Sequence, residues 1–480
     1  MHESYEAVIG LECHVQLLTK TKMYSNEKAE YGALPNTLVS PISLGHPGTL
    51  PQVNKEAVAF AVRLGIALNS QIALNTLFAR KNYFYADLPK GYQITQDKTP
   101  ICRGGYMDIQ VQDAVKRIQI TRIHMEEDSG KSIHDIDPEY SLVDLNRAGT
   151  PLLEIVTEPD FRTGEEAYAY LTEIRKLVRY LNICDGNMEE GSLRCDANIS
   201  VRKKGSLAYG KKVEVKNMNS FRNVQRAIDY EINRHIQAIE SGDEVLVETR
   251  SFDAVQNHTF SLRSKEQAND YRYFPEPDLQ PLQLTQEYVE YQKQQVPRLP
   301  QELLKLYTTE YGLSTYDALQ LIERKETSVY FNALVELKAP HKAAANWILG
   351  PVRSYLNEHA LEFNQFPILP EALAELIRLV DNGKISHAAA AQHIFPELAK
   401  VPSSNALQIT TKLDLIQNSD AAELEAIAQS VVLKHSEKVA AYKSGKTGLM
   451  GLFIGEAMKL SGGKADPKLL QSIMNRLLNQ

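Results

Sequence analysis

Charged side chains recur on one face of several short strand-like segments, and these residues could do chemistry together. In Tyr5 to Leu17 the odd positions are mostly apolar, so Glu12 and His14 share the opposite face. Two later segments, 193–201 and 213–216, alternate in the same way and direct these polar side chains to one face: Arg194, Asp196, Asn198, Ser200, Glu214 and Lys216. Carboxylates, an imidazole and cations on such segments predict a charged catalytic or binding surface.

The connection between the two later segments decides whether their polar faces coincide. If the loop between them is a hairpin centred near Leu207, then Glu214 lies opposite Ser200. The same register places Lys216 opposite Asn198. Any one of these residues alone is more typical of the wet face of an antiparallel sheet. The cluster as a whole favours Mg²⁺, held by carboxylates and substrate phosphates, beside cations that stabilise a transferring phosphoryl group.

The acidic segment His124–Lys131 would add further carboxylates to this surface. Its apolar phase slips between Ile120 and Ile123, so periodicity leaves open which of Glu126 and Glu127 points inward. Residues 440–447 resemble a phosphate-binding loop, but a helical pattern precedes them where such a loop needs a buried strand. An ATP site in this chain is therefore expected on the sheet.

The run Arg263–Leu279 packs seven charges, three aromatic rings and two prolines into a stretch without hydrophobic period. Such a density of arginine, carboxylate and aromatic ring fits a surface that holds a polar, phosphorylated ligand, with prolines stiffening the loop. A solvated connector is the alternative interpretation of the same residues.

Composition places the chain among globular proteins without a membrane span. Of its 480 residues, 43% are hydrophobic and 24% charged, and neither a signal peptide nor a membrane segment is evident, which predicts a cytoplasmic protein. The four cysteines include no pair at the spacing of a zinc site. The net charge is −7, yet Lys434–Gln480 has eight basic side chains against three acidic ones. This asymmetry suits either a nucleic-acid anchor or an ordinary solvated helical face.

The pattern changes once along the chain and predicts an α+β fold followed by helices. Up to residue 295, short alternating segments separated by glycine and proline predict a sheet-rich domain with a mainly antiparallel sheet, named the cradle below. Residues 296–402 show apolar spacings of three and four, which predict an all-α domain. Proline and serines near residue 402 then separate a small helical tail domain, 403–480.

Several long motifs resemble one family, the B subunits of aspartyl/glutamyl-tRNA amidotransferases. The resemblance spans essentially the whole chain. The archaeal E subunit of the related tRNA(Gln) enzyme shares the first domain but carries an inserted domain that this chain is too short to hold. The motifs that carry the resemblance are Gly10–Leu17, Gly48–Pro51, Asn82–Gln93, His124–Asp128, Asn146–Glu154, Asp270–Asp278 and the tail residues Gly455, Lys459 and 463–467.

The resemblance implies a tRNA-dependent kinase and amide-forming activity. Members use ATP and Mg²⁺ to phosphorylate the side-chain carboxylate of Glu-tRNA(Gln) or Asp-tRNA(Asn), and ammonia then displaces the phosphate. It also implies partners, an amidase A subunit that supplies ammonia and a small C subunit. Which of the two tRNA substrates is physiological stays open.

Carried over residue by residue, the resemblance assigns roles within this chain. Mg²⁺ ligands would be Glu12, His14 and Glu127. Catalytic residues in the cradle would be Lys81, Glu190, Asp196 and Glu214. Contacts to ATP phosphates would come from Arg194, Lys216 and Arg272. The tail would contact tRNA through Lys446, Lys459 and Lys464.

Two features qualify the expected activity. Family members often hold a structural zinc ion through cysteine pairs, but the matching stretch here has Ser25, Ser40 and Ser43, so we expect no zinc. The chain also shows no amidase signature and no cysteine nucleophile typical of a glutaminase, so ammonia must come from elsewhere. Two alternatives remain, a non-catalytic tRNA-docking subunit and a stand-alone ATP-dependent carboxylate–amine ligase.

Overall fold

A computed structural model describes residues 4–134, 136–264, 271–402, 404–416, 421–461 and 465–479. The chain forms two compact units, Met1–Pro300 and Gln301–Gln480. The first unit combines strands with helices, and the second is helical. The predicted fold class, an α+β domain followed by helices, is therefore confirmed.

A large sheet organises the first unit, with the strand order β15-β14-β13-β12-β1-β11-β8-β6-β2 and β7 paired to β8. Its pairings are antiparallel except for the parallel pair β13–β14. The strands of this unit are β1 (Tyr5–Gln16), β2 (Gln71–Ile72), β3 (Asn75–Thr76), β4 (Ala79–Asn82), β5 (Tyr92–Thr95), β6 (Cys102–Arg103), β7 (Tyr106–Val111), β8 (Ala114–Glu127), β9 (Lys131–Ile133), β10 (Leu142–Asp144), β11 (Pro151–Thr157), β12 (Leu193–Lys203), β13 (Val213–Lys216), β14 (Glu248–Asp253), β15 (His258–Ser264), β16 (Phe274–Pro275) and β17 (Leu282–Gln283).

Helices cover the apolar face of this sheet and leave its polar face open. The alternating apolar residues of β1, such as Ile9 and Leu11, share a buried core with Ile174 and Ile228 from the two longest helices. Hydrophobic burial on one face therefore fixes the direction of the polar side chains on the other. The helices of the first unit are α1 (Lys55–Ala67), α2 (Gly164–Tyr180), α3 (Phe221–Ser241) and α4 (Gln286–Gln294).

Side-chain caps set the ends of the covering helices. Thr163 Oγ1 accepts a hydrogen bond from the Glu166 amide at 3.2 Å and starts α2. Ser220 caps the start of α3 in the same way. Gly242 follows the last residue of α3 and caps its end, and its φ of 79° suits glycine because it has no Cβ.

The predicted register between β12 and β13 was wrong by two residues. The structure pairs Asn198 with Glu214, whereas the symmetric hairpin would pair Glu214 with Ser200. The connection is not symmetric, since the chain turns tightly after Lys203 and Gly210 then packs against the backbone of β12. A shift of two residues keeps every side chain on its predicted face, so the polar faces of β12 and β13 coincide as expected.

The second unit consists of helices around apolar cores. Its last part has a core of its own, to which Leu424, Phe453 and Met474 belong. The helices are α5 (Pro300–Thr309), α6 (Thr315–Ile322), α7 (Lys325–Glu336), α8 (His341–Trp347), α9 (Arg353–Glu358), α10 (Pro370–Asp381), α11 (His387–Ala389), α12 (Phe395–Lys400), α13 (Ala406–Lys412), α14 (Ala421–Lys434), α15 (Ser436–Lys443), α16 (Met450–Leu460) and α17 (Pro467–Asn479), with π-helical turns at Ile348–Val352 and Ala390–Ile394 and 3₁₀ turns at Phe363–Gln365 and Thr447–Leu449.

Helix α13 lies just beyond the predicted boundary at residue 402 but packs against α10. The Ala406 amide donates to Glu375 Oε2 at 2.8 Å, which ties the start of α13 to that helix. Among the residues described, no helix is both long and apolar enough to cross a membrane.

Candidate active site

The polar face of the sheet brings the predicted residues of β1 and β12 together. Glu12 faces Asp196 directly across this strand pair. His14 faces Arg194 on the same neighbour and Glu154 on β11 at its other side. The alternation predicted for both strands therefore places a carboxylate-rich surface at the middle of the sheet.

One group of carboxylates lies around Glu12. Glu12, Asp196 and Glu214 each offer an oxygen atom, and these atoms lie within 4.8 Å of one another. Asn198 Nδ2 donates to Glu12 Oε1 at 2.8 Å, and Lys216 Nζ bonds Asp196 and lies 3.1 Å from Glu214 Oε1. Burial, followed by repulsion from nearby carboxylates, raises the pKa of Glu12. A cation among these oxygens would relieve that repulsion, and an all-oxygen set suits Mg²⁺.

A second group lies around His14. His14 Nε2 is 3.5 Å from Glu126 Oε1 and 3.5 Å from Glu154 Oε2. His124 Nε2 lies 3.2 Å from the same Glu154 oxygen. Burial alone would lower the pKa of His124, but Glu154 and Glu126 outweigh burial and raise it to about 9. Protonated imidazole thus neutralises these carboxylates, and a metal ion would compete with that proton for them.

Cations and carboxylates together line a cavity of about 340 Å³, named the sheet cavity. Arg194 Nη2 donates to Asp128 Oδ2 at 2.9 Å, while its Nε is buried without a hydrogen-bond partner among the residues that the structure describes. An unpaired buried donor in such a cavity fits an anionic ligand. The lining residues are His14, Lys81, Tyr83, Gln93, Glu126, Asp128, Ser129, Leu152, Arg194, Cys195, Asp196, Lys216, Asn217 and Met218.

Lys81, on β4, enters this cavity beside aromatic rings. Its Nζ lies 5.0 Å from the ring centroid of Tyr271. Burial disfavours the ammonium form, but the carboxylates, led by Glu126, outweigh burial and raise the pKa of Lys81. The side chain is therefore a fixed positive charge that faces the cavity.

Glu127 does not join the His14 group, and Glu126 takes the place predicted for it. The Glu127 side chain bonds Lys90 Nζ and accepts a hydrogen bond from the Ile94 amide at 2.9 Å. The reason is a bulge in β8 at Thr121, opposite the step from Val156 to Thr157. This extra residue causes the slip in apolar phase between Ile120 and Ile123 that the sequence shows.

The phase beyond the bulge explains which carboxylate enters the site. Ile123 and Met125 are buried in the core, so His124 and Glu126 point to the polar face. Glu127 continues the phase of Ile123 and Met125 and turns away from His14. The register after the bulge could thus have identified Glu126 from the sequence.

Glu190 and Arg272 lie outside the lining of the sheet cavity in the part of the chain that is described. Glu190 is exposed in the loop before β12, where its amide donates to Asn187 Oδ1 at 3.5 Å. Arg272 is exposed with a φ of 46°, and its carbonyl accepts from Asn82 Nδ2 at 2.9 Å. Of the charged run 263–279, residues 265–270 are outside the described residues.

Another part of the charged run forms an ion pair with β4. Arg80 bonds both carboxylate oxygens of Glu276, at 2.7 and 2.8 Å, and reaches Asp278 at 3.2 Å. This bidentate pair anchors the run next to Lys81.

The tail lysines are exposed where the structure describes them. Lys446 precedes the 3₁₀ turn at Thr447–Leu449, and Lys459 lies in the last turn of α16. Lys464 is outside the described residues.

Two serines of the predicted zinc-free loop, Ser40 and Ser43, are buried, and Ser25 is half-buried. Ser40 Oγ and Ser43 Oγ are 3.1 Å apart, and the Ser43 amide donates to Ser40 Oγ at 2.8 Å. Ser25 Oγ is buried and has no hydrogen-bond partner in the described ranges. Hydroxyl groups that bond each other in this way hold the loop by their own contacts.

Sequence reasoning missed Glu154 and His124 as site residues. Glu154 lies in β11, whose residues are nearly all buried, between β1 and β8. A lone carboxylate within an apolar strand is itself a signal, because burying an uncompensated charge is costly. The sequence of Pro151–Thr157 could therefore have identified Glu154 as a site residue.

A neighbouring cavity of about 320 Å³, named the side cavity, also opens on the polar face. Glu12 and Asn198 line one wall, so this cavity adjoins the Glu12 group. Val8, Gly10 and Pro159 supply a more apolar wall.

Comparison with known proteins gives matches over nearly the whole chain. Residues 7–290 match a family described as the GatB/GatE catalytic domain, and residues 329–478 match one described as the GatB domain. The chain is 49% identical to the B subunit of the aspartyl/glutamyl-tRNA(Asn/Gln) amidotransferase of Thermosynechococcus vestitus, over 99% of this chain and 97% of that protein. The same-named proteins of Persephonella marina and Thermodesulfovibrio yellowstonii are 46% and 45% identical, over 99% of this chain and 99% and 100% of theirs.

Proposed function

Because this chain belongs to the GatB family, we propose that it is the kinase and amide-forming subunit of a tRNA-dependent amidotransferase. Its substrates would be Glu-tRNA(Gln), Asp-tRNA(Asn) or both, with ATP. The observation that carries the proposal is the sheet cavity, where two carboxylate-rich groups adjoin Lys81, Arg194 and Lys216. A protein that only docked tRNA would have no need for this arrangement.

The proposed reaction has two steps. A carboxylate oxygen of the aminoacyl side chain attacks the γ-phosphorus of ATP, and the bond from that phosphorus to the bridging oxygen breaks, which releases ADP. Ammonia then attacks the acyl carbon of the acyl phosphate, inorganic phosphate leaves and the nitrogen loses a proton. Activation by ATP is needed because a free carboxylate has no adequate leaving group.

The cations of the sheet cavity suit the first step. Arg194 presents a buried Nε that has no partner within the described part of the chain, and Lys81, whose pKa is raised, directs its ammonium group at the same space. Lys216 bridges Asp196 and Glu214 at the edge of the cavity. Positive groups fixed in advance around transferring oxygens stabilise the charge that spreads over them. The aminoacyl carboxylate would be oriented by the same cations.

The residues present fit a divalent metal ion. Glu12, Asp196 and Glu214 would hold Mg²⁺ through oxygen alone, and His14 with Glu126 and Glu154 offers a mixed set. When bound, Mg²⁺ would neutralise phosphate charge and align the phosphoryl group. The chain's own part is to keep these donors close together by strand pairing, since Glu12 and Asp196 are direct cross-strand neighbours.

The second step needs ammonia from a partner. The names of the relatives identify them as B subunits, which supports a complex with further subunits. We propose an amidase subunit as the ammonia source and a small third subunit that braces the pair. The side cavity, next to Glu12, offers room for the adenosine of ATP or of the tRNA end.

An assay of phosphoryl transfer tests the proposal. The reconstituted complex would be supplied with labelled ATP and with Glu-tRNA(Gln) or Asp-tRNA(Asn), with and without the amidase partner. His14→Ala should abolish transfer to the aminoacyl carboxylate while the partner's glutaminase activity survives. Glu158→Gln, an exposed carboxylate at the end of β11, is the matched control. Equal ATP-dependent turnover in the His14 variant and wild type would instead favour the docking role.

A further inference from the structure

Three arginines line a cavity of about 280 Å³ beside the start of α3, named the arginine cavity. They are Arg175, Arg179 and Arg222, and they stand out in a chain with a net charge of −7. Glu189 is the carboxylate among the lining residues, and apart from it and the three arginines the lining is neutral. Such a lining attracts an anion, and guanidinium groups match phosphate oxygens in geometry.

The arginines are positioned by contacts that the fold provides. The Arg175 guanidinium lies 4.7 Å from the ring centroid of Phe221. Gly186, with a φ of 67°, packs so closely on this side chain that a Cβ there would lie 2.6 Å from Arg175 Cγ. Arg179 Nε donates to the Asp185 carbonyl oxygen. This bond uses one of the five N–H donors of the Arg179 guanidinium group. The loop before β12 therefore holds the guanidinium groups at the cavity.

The start of α3 adds to the positive potential. Ser220 caps this helix, which runs for 21 residues from Phe221 and presents its positive end at the cavity lining. Backbone amides in the first turn are good partners for phosphate oxygens.

One continuous segment of chain runs from the lining of the sheet cavity to the lining of the arginine cavity. Lys216, Asn217 and Met218 line the sheet cavity, and the next residues, 219–222, line the arginine cavity. Successive Cα atoms are about 3.8 Å apart, so Met218 of the first lining and Asn219 of the second are direct neighbours along the chain. A strand that followed this segment out of the sheet cavity, towards the helices, would reach the arginine cavity.

We infer that the arginine cavity binds a phosphodiester group of the nucleic-acid strand whose aminoacylated end occupies the sheet cavity. This inference rests on the proposed function, because that function places a tRNA end in the sheet cavity. It adds a contact that anchors the strand beside the reacting carboxylate. Arg179 and Arg222 are exposed and so are the natural positions for a test.

The test compares two double variants that remove the same charge. Arg179→Gln/Arg222→Gln alters the arginine cavity. Arg103→Gln/Arg117→Gln removes Arg103 on β6, which is exposed, and Arg117 on β8, which pairs with Asp108 on β7. The complex would be assayed for the KM of aminoacyl-tRNA and of ATP, and binding of uncharged tRNA transcript would be measured against salt concentration.

We expect the first double variant to raise the KM for aminoacyl-tRNA on the order of 10-fold and to leave the KM for ATP at its wild-type value. The slope of log affinity against log salt should fall by about 0.7 to 0.9 for each phosphate that the variant no longer neutralises. The control variant should keep wild-type values. A KM for aminoacyl-tRNA equal to that of the control would overturn the inference, and so would a rise confined to ATP, since the cavity would then hold nucleotide phosphate. A wild-type complex inactive on both aminoacyl-tRNAs would refute the proposed function instead.

Discussion

The neighbouring carboxylates Glu126 and Glu127 should respond in opposite ways to the same substitution. Glu126 lies in the site, 3.5 Å from His14 Nε2, whereas Glu127 is buried in an ion pair with Lys90. Glu126→Gln removes a candidate metal donor, and Glu127→Gln removes the partner of a buried ammonium group. The first change should therefore reduce activity, and the second should reduce stability.

The structure sets the size of each effect. Breaking a buried ion pair from one side costs about 3–5 kcal/mol, because the other charge stays buried and unpaired. A glutamine at 127 can still accept the Ile94 amide, so the loss comes from charge alone. For a unit of this size the melting temperature should fall by roughly 5–10 °C. At position 126, His124 can release its proton when the carboxylate is removed, so the stability change should stay within about 1 kcal/mol.

Two measurements on each variant separate these effects. Thermal unfolding reports the free-energy loss, and ATP-dependent phosphorylation of the aminoacyl carboxylate, assayed well below the melting temperature, reports the site. Glu126→Gln should lower the phosphorylation rate by about 100-fold or more and should weaken Mn²⁺ binding measured by calorimetry. A Glu127 variant that unfolds like wild type but has lost metal binding would refute the reasoning, since Glu127 would then be the ligand.

Three further predictions concern other parts of the chain. Burial would raise the pKa of Glu231, but bonds from His235, Arg234 and Thr259 outweigh it and hold the pKa at about 2. The stability that this carboxylate contributes should be complete above its unfolded pKa of about 4.3. It should fall by on the order of 3 kcal/mol as the pH drops towards 2. In urea unfolding measured at pH 2–6, Glu231→Gln should flatten this dependence on acid. Elemental analysis of purified protein should find less than stoichiometric zinc, and one tightly bound zinc per chain would contradict our interpretation of the serine loop. Truncation before Lys434 should raise the KM for tRNA much more than it lowers the rate at saturating tRNA, and the opposite pattern would assign the tail to catalysis.

Strand alternation carried most of the prediction of the site. Period-two patterns assigned Glu12, His14, Arg194, Asp196, Glu214 and Lys216 to polar faces, and the structure places all of them on one sheet face. An error of two residues in register, as in the β12–β13 pair, does not change the predicted face, because side-chain direction along a strand repeats every two residues. Alternation could not give the order of strands, which depends on contacts between distant segments.

Alternation does not predict the direction of side chains where a strand is irregular or buried on both faces. The bulge at Thr121 changes the phase of β8, so periodicity left the choice between Glu126 and Glu127 open, and the family resemblance assigned the metal to Glu127. Strand β11 is buried on both faces, so its sequence shows no alternation of polar and apolar residues. Glu154 was therefore missed, although β11 lies between β1 and β8. Glu190 lies in a loop, where no periodicity indicates a direction, and its role stays a prediction.

The mixture of charges in the sheet cavity couples the binding of a divalent cation to the binding of ATP. Carboxylates from two groups surround the space that the cations face, and these carboxylates would repel a polyphosphate. Because Glu154 and Glu126 raise the pKa of both His14 and His124 against the effect of burial, the site favours positive charge among its carboxylates. A divalent cation and ATP should therefore each raise the affinity for the other by the same factor. Arg194 and Lys81 alone would leave that repulsion in place, which is the physical reason for a cradle lined with both signs of charge.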